Sequence, residues 1–182
     1  MTVQPIRLYG DPVLQTPAAP VVDFDRELRR LVADLFETMR AAPGLGLSAP
    51  QIGVGLRVFV YHLDDVEHGH LVNPQLSFPS QEEQDGPQSC LSIPGLAWDC
   101  RRRQKVIAHG WNLCGEPVTV SGADLLARCV QHETDHLDGV LFLDRLDPAA
   151  RKAAVAEIAA AGWSDRPVLV VKFSPHPTGP LQ

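Results

Sequence analysis

The sequence predicts an α+β domain with mixed or antiparallel strands and one central helix inserted late, and three observations point there. β-rich runs and turn signals dominate residues 56–120, helical periodicity is confined to separate stretches, and no strand–helix–strand alternation of a parallel sheet is present. The middle helical stretch, 122–137 (GADLLARCVQHETDHL), comes late and carries a histidine-rich motif.

Residues 1–22 carry Pro5, Pro12, Pro17 and Pro20, each removing a backbone donor and restricting the residue before it, so they read as an extended arm around the domain. From Asp23 onward Phe24, Leu28, Leu31, Val32, Leu35, Phe36 and Met39 recur at helical spacing, with Asp25 and Glu27 at the end that favours acids. That helix, about four turns long, ends before Pro43-Gly44. Residues 56–63 (LRVFVYHL) read as a strand, 64–70 as a polar turn, Leu71-Val72 as a short extended piece ending at Asn73-Pro74, and 79–89 as loop. Residues 105–111 and 117–120 flank 112–116 as a hairpin. After the 122–137 helix, Asp147-Pro148 opens an alanine-rich helix over 149–161. Residues 168–173 (VLVVKF) read as a last strand, which makes 1–174 a single domain and 175–182 a mobile tail.

With 182 residues, 45% apolar and 21% charged, the chain fits one domain with a real core, and intrinsic disorder is excluded for most of it. A net charge of −6 and a pI near 5.6 argue against nucleic-acid binding. No apolar run approaches the roughly 20 residues of a membrane helix, and the N-terminus (MTVQPIRLYGDP) lacks a signal-peptide core. A cytoplasmic protein without membrane contact is expected. The four cysteines, at 90, 100, 114 and 129, form no CxxC pair, and a core of this size needs no disulfide, which leaves at least one for chemistry.

His132-Glu133-Thr134-Asp135-His136 is an HExxH pattern inside a stretch read as helix on other grounds. Its imidazoles therefore stand one turn apart on one face, the spacing that two ligands of one metal ion need. At roughly 100° per residue, Leu125, Cys129, His132 and His136 fall within about 60° of one another, so the histidines continue an inward-facing apolar stripe. Glu133, turned away by roughly 80–100°, is near enough to act as a general base on a water at the metal. A third ligand is needed, and the residues leave two candidates. The HExxHxxGxxH form has its glycine at Gly139 but is broken at Phe142. A downstream glutamate is available only as Glu157, and Cys90 is the alternative. Gly44 and Gly46 also read as plain turn glycines, Cys100, Cys114 and Cys129 as structural thiols, and the Asp64-Asp65-Glu67-His68-His70 cluster as a solvated turn.

Gly44-Leu45-Gly46-Leu47-Ser48-Ala49-Pro50-Gln51, Cys90-Leu91-Ser92 and Gln131-His132-Glu133-Thr134-Asp135-His136, in this order, resemble the three motifs of peptide deformylases. The resemblance implies strands around a metal-bearing helix, and a hydrolase that removes the N-formyl group from the formylmethionine of nascent chains and releases formate. It implies Cys90, His132 and His136 as ligands of one divalent metal ion. Fe(II) is usual in the family; a thiolate with two imidazoles also suits Zn(II), Ni(II) or Co(II), but not magnesium or calcium. Glu133 becomes the proton-transfer group, the Gln51 side-chain amide and the Leu91 backbone N–H become the oxyanion donors, and Leu45, Gly46, Gln88, Ser89, Leu125 and Cys129 become substrate-binding residues.

Before the cysteine the family usually has Glu-Gly, and this chain has Gln88-Ser89. The family glutamate pairs with an arginine, here Arg102, and Gln88 cannot form that ion pair, which would leave an arginine free near the pocket. Ser48, in place of the usual alanine, reads as a minor change. The Gln88-Ser89 departure keeps a second reading open, a divergent non-catalytic or regulatory metal-binding paralogue. N-formylmethionyl peptides are the implied partners, and the ribosome a transient one, although the residues after 151 are only mildly basic. A monomer is the default expectation.

Overall fold

In the computed structural model, which describes residues 2–64 and 66–161, the layering follows from the alternation along one strand. Val58 and Val60 join one buried cluster, Phe59 and Tyr61 another, so this strand is covered on both faces. In chain order the strands are β1 (Gly46–Ser48), β2 (Val58–His62), β3 (His68–Ser77), β4 (Glu83–Gln84), β5 (Pro87–Cys90), β6 (Ile93–Asp99), β7 (Arg102–Arg103), β8 (Lys105–Trp111) and β9 (Pro117–Ala123). The helices are α1 (Arg26–Ala41), α2 (Asp124–Leu137) and α3 (Pro148–Ala160). Five strands form an antiparallel sheet in the order β1-β2-β3-β8-β9, while β4 pairs with β7 and β5 with β6.

Asp25 caps α1 by accepting from the N–H groups of Glu27 and Leu28 at 2.9 and 3.0 Å. The helix lays Leu28, Leu31, Leu35 and Met39 over the Val58 and Val60 face. On the other face α2 packs Leu126, Ala127, Val130 and Leu137 against Phe59, Tyr61, Leu71 and Val106. Every residue of α2 from 126 to 137 is buried, because the small sheets close its far side. There Gln131 accepts from Arg103 N–H at 3.0 Å and donates back to the Arg103 carbonyl at 2.9 Å, as a strand partner would. The expected central helix is therefore present. Gly139, at φ +71, turns the chain away from α2 where a Cβ would strike the backbone of Gln15 and Thr16. Asp147 caps α3, which packs Ala154 and Ile158 against Ile93, Cys100 and Phe142.

Several boundaries differ from the sequence reading, each for a tertiary reason. The piece at Leu71-Val72 is the ten-residue β3, which runs through Asn73-Pro74 because a register shift between Val72 and Gln75 absorbs the proline. The polar stretch 79–89 contains β4 and most of β5, whose pairing partners lie in 93–103 rather than in local composition. Gly46–Ser48 is an edge strand on β2, not a turn. Helix α2 starts two residues late, since Gly122 and Ala123 still pair with Val106 and Lys105. The expected strand at 168–173 and the tail at 175–182 lie outside the described residues.

The N-terminal arm is extended apart from a 3-10 turn at Pro12–Gln15, and it braces the domain by backbone bonds. Arg7 N–H donates to the Gln51 carbonyl at 2.7 Å, Tyr9 N–H to the Ser92 carbonyl at 2.9 Å and Ala18 N–H to the Leu137 carbonyl at 2.8 Å. Asn73, in the left-handed region at φ 49, receives Val21 N–H and donates to the Val21 carbonyl, both at 2.8 Å. Replacing Asn73 with Ala leaves both Val21 groups without this partner. It is expected to lower the unfolding free energy in urea by about 1–3 kcal/mol, with an unchanged m-value.

Candidate active site

The pitch of α2 places His132 and His136 on one side, and the end of β5 brings Cys90 to them. The two Nε2 atoms are 3.2 Å apart and Cys90 Sγ is 3.3 Å from His136 Nε2; all three atoms lie within 4.8 Å of one another. Ligands bound tetrahedrally at 2.0–2.3 Å stand about 3.3–3.6 Å apart, so the trio fits one borderline-soft divalent ion. Among the described residues this is the group of three that fits a metal. Glu157 is exposed on α3 and takes no part, which removes the downstream-glutamate ligand set. Of the Asp64 cluster, Asp64 and Glu67 lie in a turn, with Asp64 accepting from Val66 and Glu67 N–H groups, whereas His68 and His70 belong to β3 rather than to the expected turn.

Burial sets the protonation of the site. It pushes the Cys90 thiol up to about 12 and His136 down to about 4. His132 is held well below the imidazole range, by burial first and by His136 beside it next. Burial, and then the charge of Asp135, raise Glu133 well above the carboxylate range, and Glu133 Oε2 has no hydrogen-bond partner. Without a cation, burial thus favours the uncharged form of each of these groups. A divalent ion reverses that preference by favouring the anionic forms. Two donors already face the sulfur, Ser92 N–H at 3.4 Å and Gln51 Nε2 at 3.7 Å.

A cavity of about 350 Å³ opens above these groups. All six expected substrate-binding residues line it, together with Gln51, Leu91, Cys90, His132 and Glu133. Leu45 and Leu125 are 45% and 49% exposed and stand at the mouth, so Leu125 is not the buried end of the α2 stripe that the helical spacing implied. Gly46 matters by close approach, because a Cβ there would collide with the Glu133 carboxylate and come within 2.9 Å of Cys129 Sγ. Gln51 is locked: its Oε1 accepts from Ser48 N–H at 2.9 Å and from the Ser48 hydroxyl at 3.0 Å, which turns its NH2 toward Cys90 and Ser92. Ser48 is therefore more than a minor change, since its hydroxyl adds a second bond to that amide.

Behind the ligands lies a buried polar cluster. Arg102 donates to Asp135 at 2.5 Å and to Gln88 Oε1 at 3.0 Å, Arg128 donates to Gln88 Oε1 at 3.3 Å and to the Cys100 carbonyl at 2.7 Å, and Arg145 reaches Asp135 at 2.6 Å. Arg102 does lie beside Gln88 as expected, but Asp135 engages it, so the expected free arginine is not found. Sequence reasoning gave no role to Asp135, Arg128 or Ser92. The usable signal was that a central helix buries all its sides, so the middle residues of HExxH need partners of their own.

Such a donor set, beside a buried glutamate one residue from a ligand and at the base of a mostly apolar cavity, belongs to the metal-dependent hydrolases. The family model described as "Polypeptide deformylase" matches residues 3–152. The chain is 63% identical over 178 residues to "Peptide deformylase" of Acidothermus cellulolyticus, covering 98% of this chain and 97% of that one. It is 59% identical to that of Parafrankia sp., covering 97% of each. The crystal structure of peptide deformylase from Thermus thermophilus superposes with a TM-score of 0.81 at 39% identity, covering 87% of this chain and 94% of that one. That from Ehrlichia chaffeensis in complex with actinonin gives 0.83 at 33% identity, covering 90% and 99%. The chain belongs to the polypeptide deformylase family, whose members use a single catalytic metal.

Two outcomes follow from this geometry. Because the histidines are already neutral near pH 7 while Cys90 keeps its proton, zinc must displace a thiol proton. Zinc affinity should therefore rise about tenfold per pH unit between pH 6 and 8, with at least one proton released in calorimetry across buffers; a pH-independent affinity would contradict the raised thiol. Gly46→Ala should push Glu133 aside and cut turnover by about tenfold or more, through misplacement of the reacting groups, while the far-UV circular dichroism stays native.

Proposed function

We propose that this chain hydrolyses the formamide of N-formylmethionyl peptides, releasing formate and the free amine, with Cys90, His132 and His136 holding one divalent ion, Fe(II) in the cell. The observation that carries the reading is the convergence of that trio, the unpartnered Glu133 carboxyl and the locked Gln51 amide on one cavity. When bound, the ion supplies Lewis acidity and makes water acidic enough to be deprotonated near neutral pH. Glu133, made more basic by burial, would accept a proton from the attacking water and return it to the departing nitrogen. Gln51 Nε2 and the Leu91 N–H receive the oxyanion; the Gln51 amide is held in place beforehand by Ser48, so little reorganisation is needed during the reaction.

The cavity also fits the substrate class. Leu45, Leu91, Leu125 and Cys129 provide an apolar wall suited to a thioether side chain, in a volume at the small end of ligand sites. Beside it β1 is an edge strand, whose backbone an extended peptide can pair with. No helix of the described residues is long and apolar enough to cross a membrane. We place the reaction in the cytoplasm, on nascent chains, and assign it to a monomer that meets the ribosome transiently.

The test is formate release from formyl-Met-Ala-Ser by anaerobically purified protein. Glu133→Ala is expected to keep the metal and the fold and to lose about 10²–10⁴-fold in kcat. Cys90→Ser is expected to lose the metal on dialysis against a chelator. Full turnover by Glu133→Ala would remove Glu133 from the mechanism.

A further inference from the structure

Gln88 lies on β5 two residues before Cys90, with its side chain buried between α2 and two arginines. The two ends of its amide face different partners. Arg102 Nε and Arg128 Nη1 both point at Oε1, at 3.0 and 3.3 Å, while Nε2 lies against His132 Nδ1. The guanidinium groups offer only N–H donors, and an amide has one accepting atom.

The state of His132 decides whether this arrangement is satisfied. Its Nε2 faces the ligand trio, so a metal held there leaves the hydrogen on Nδ1. With Oε1 on the arginines, the amide NH2 then meets an N–H. Turned over, Oε1 accepts from His132 and the NH2 meets the guanidinium side. A metal-free imidazole that accepts at Nδ1 conflicts with neither group in the arrangement seen. The turned-over amide leaves each arginine a second acceptor, Asp135 for Arg102 at 2.5 Å and the Cys100 carbonyl for Arg128 at 2.7 Å. For the Nδ1–H of a liganded His132, by contrast, Gln88 is the one partner in its hydrogen-bond set. A carboxylate in this place would accept on both sides at once.

We propose that Gln88 is a positioning residue whose amide turns over when His132 takes up the metal, so that the site holds its ion less tightly than it would with a carboxylate there. The proposal rests on the metal-site reading above and goes beyond it by making occupancy depend on a neutral neighbour of the ligand set. The magnitude follows from what hydrogen-bond partners of metal-bound histidines contribute, about 10–100-fold in affinity.

The experiment compares wild type with Gln88→Glu, a nearly isosteric change, by zinc competition against a chromophoric chelator. Gln88→Glu should bind zinc at least about tenfold more tightly. Independently, NMR of wild type labelled with ¹⁵N in glutamine and histidine side chains follows the amide directly. Addition of zinc should produce a protected His132 Nδ1–H and abolish the cross-peak between the Gln88 NH2 protons and the His132 ring. Equal or weaker zinc binding by a folded Gln88→Glu would overturn the proposal, as would NH2 protons that stay beside His132 in the zinc-loaded protein. Should Gln88→Glu fail to fold, the wild-type cross-peak decides alone. Zinc uptake by neither protein would overturn the metal-site reading and this inference together.

Discussion

The enclosure of α2 is the constraint on which the rest depends. Twelve consecutive buried residues include Arg128, Gln131, His132, Glu133, Asp135 and His136, a composition that no apolar packing could accommodate. Burying such groups is costly unless each finds a partner, so the surrounding strands are in effect built to supply partners. Gln131 completes β7, Asp135 takes two arginines, and the ligand trio faces the end of β5. Within this helix Glu133 Oε2 and His136 Nδ1 are left without one, and the Glu133 side chain lines the cavity.

Rigidity at the site comes from elements that carry no reactive atom. The arm ties Gln51 and Ser92 through their carbonyls, and these two residues send their own N–H groups to the Cys90 sulfur. Ser48 fixes which end of the Gln51 amide points inward. A donor held in advance contributes more to an oxyanion than one that must be ordered during the reaction. The burial that favours the uncharged forms of these groups is opposed by a divalent ion, whose own charge favours the anionic ones.

The sequence made the ligand trio, Glu133 and the central helix legible because each rests on local spacing or on a residue-specific motif. The β-rich run 56–63 was likewise legible as a strand, although that Val58 and Val60 face one cluster and Phe59 and Tyr61 another emerged only with the structure. What stayed hidden depends on pairing across the chain. β4 and β5 sit in a polar stretch that looks like loop until 93–103 is laid beside it, and β3 crosses a proline by means of a bulge. Arg128 and Asp135 were equally opaque, because a charged residue at helical spacing looks solvated unless the helix is known to have no solvent-facing side. Ser48 was undervalued because its hydroxyl acts on Gln51 rather than on substrate.

The bond from Ala18 to Leu137 joins positions 119 residues apart, and Arg7 and Tyr9 likewise reach far along the chain. Chain synthesis is vectorial, so Ala18 meets this partner only after Leu137 has been made. Loop closure over such distances is slow compared with helix formation, which makes docking of this strap a late event in folding. The strap can thus reach Gln51 and Ser92 before α2 exists, and its last bond, to Leu137, fastens it only when the helix that carries His132 and His136 has formed.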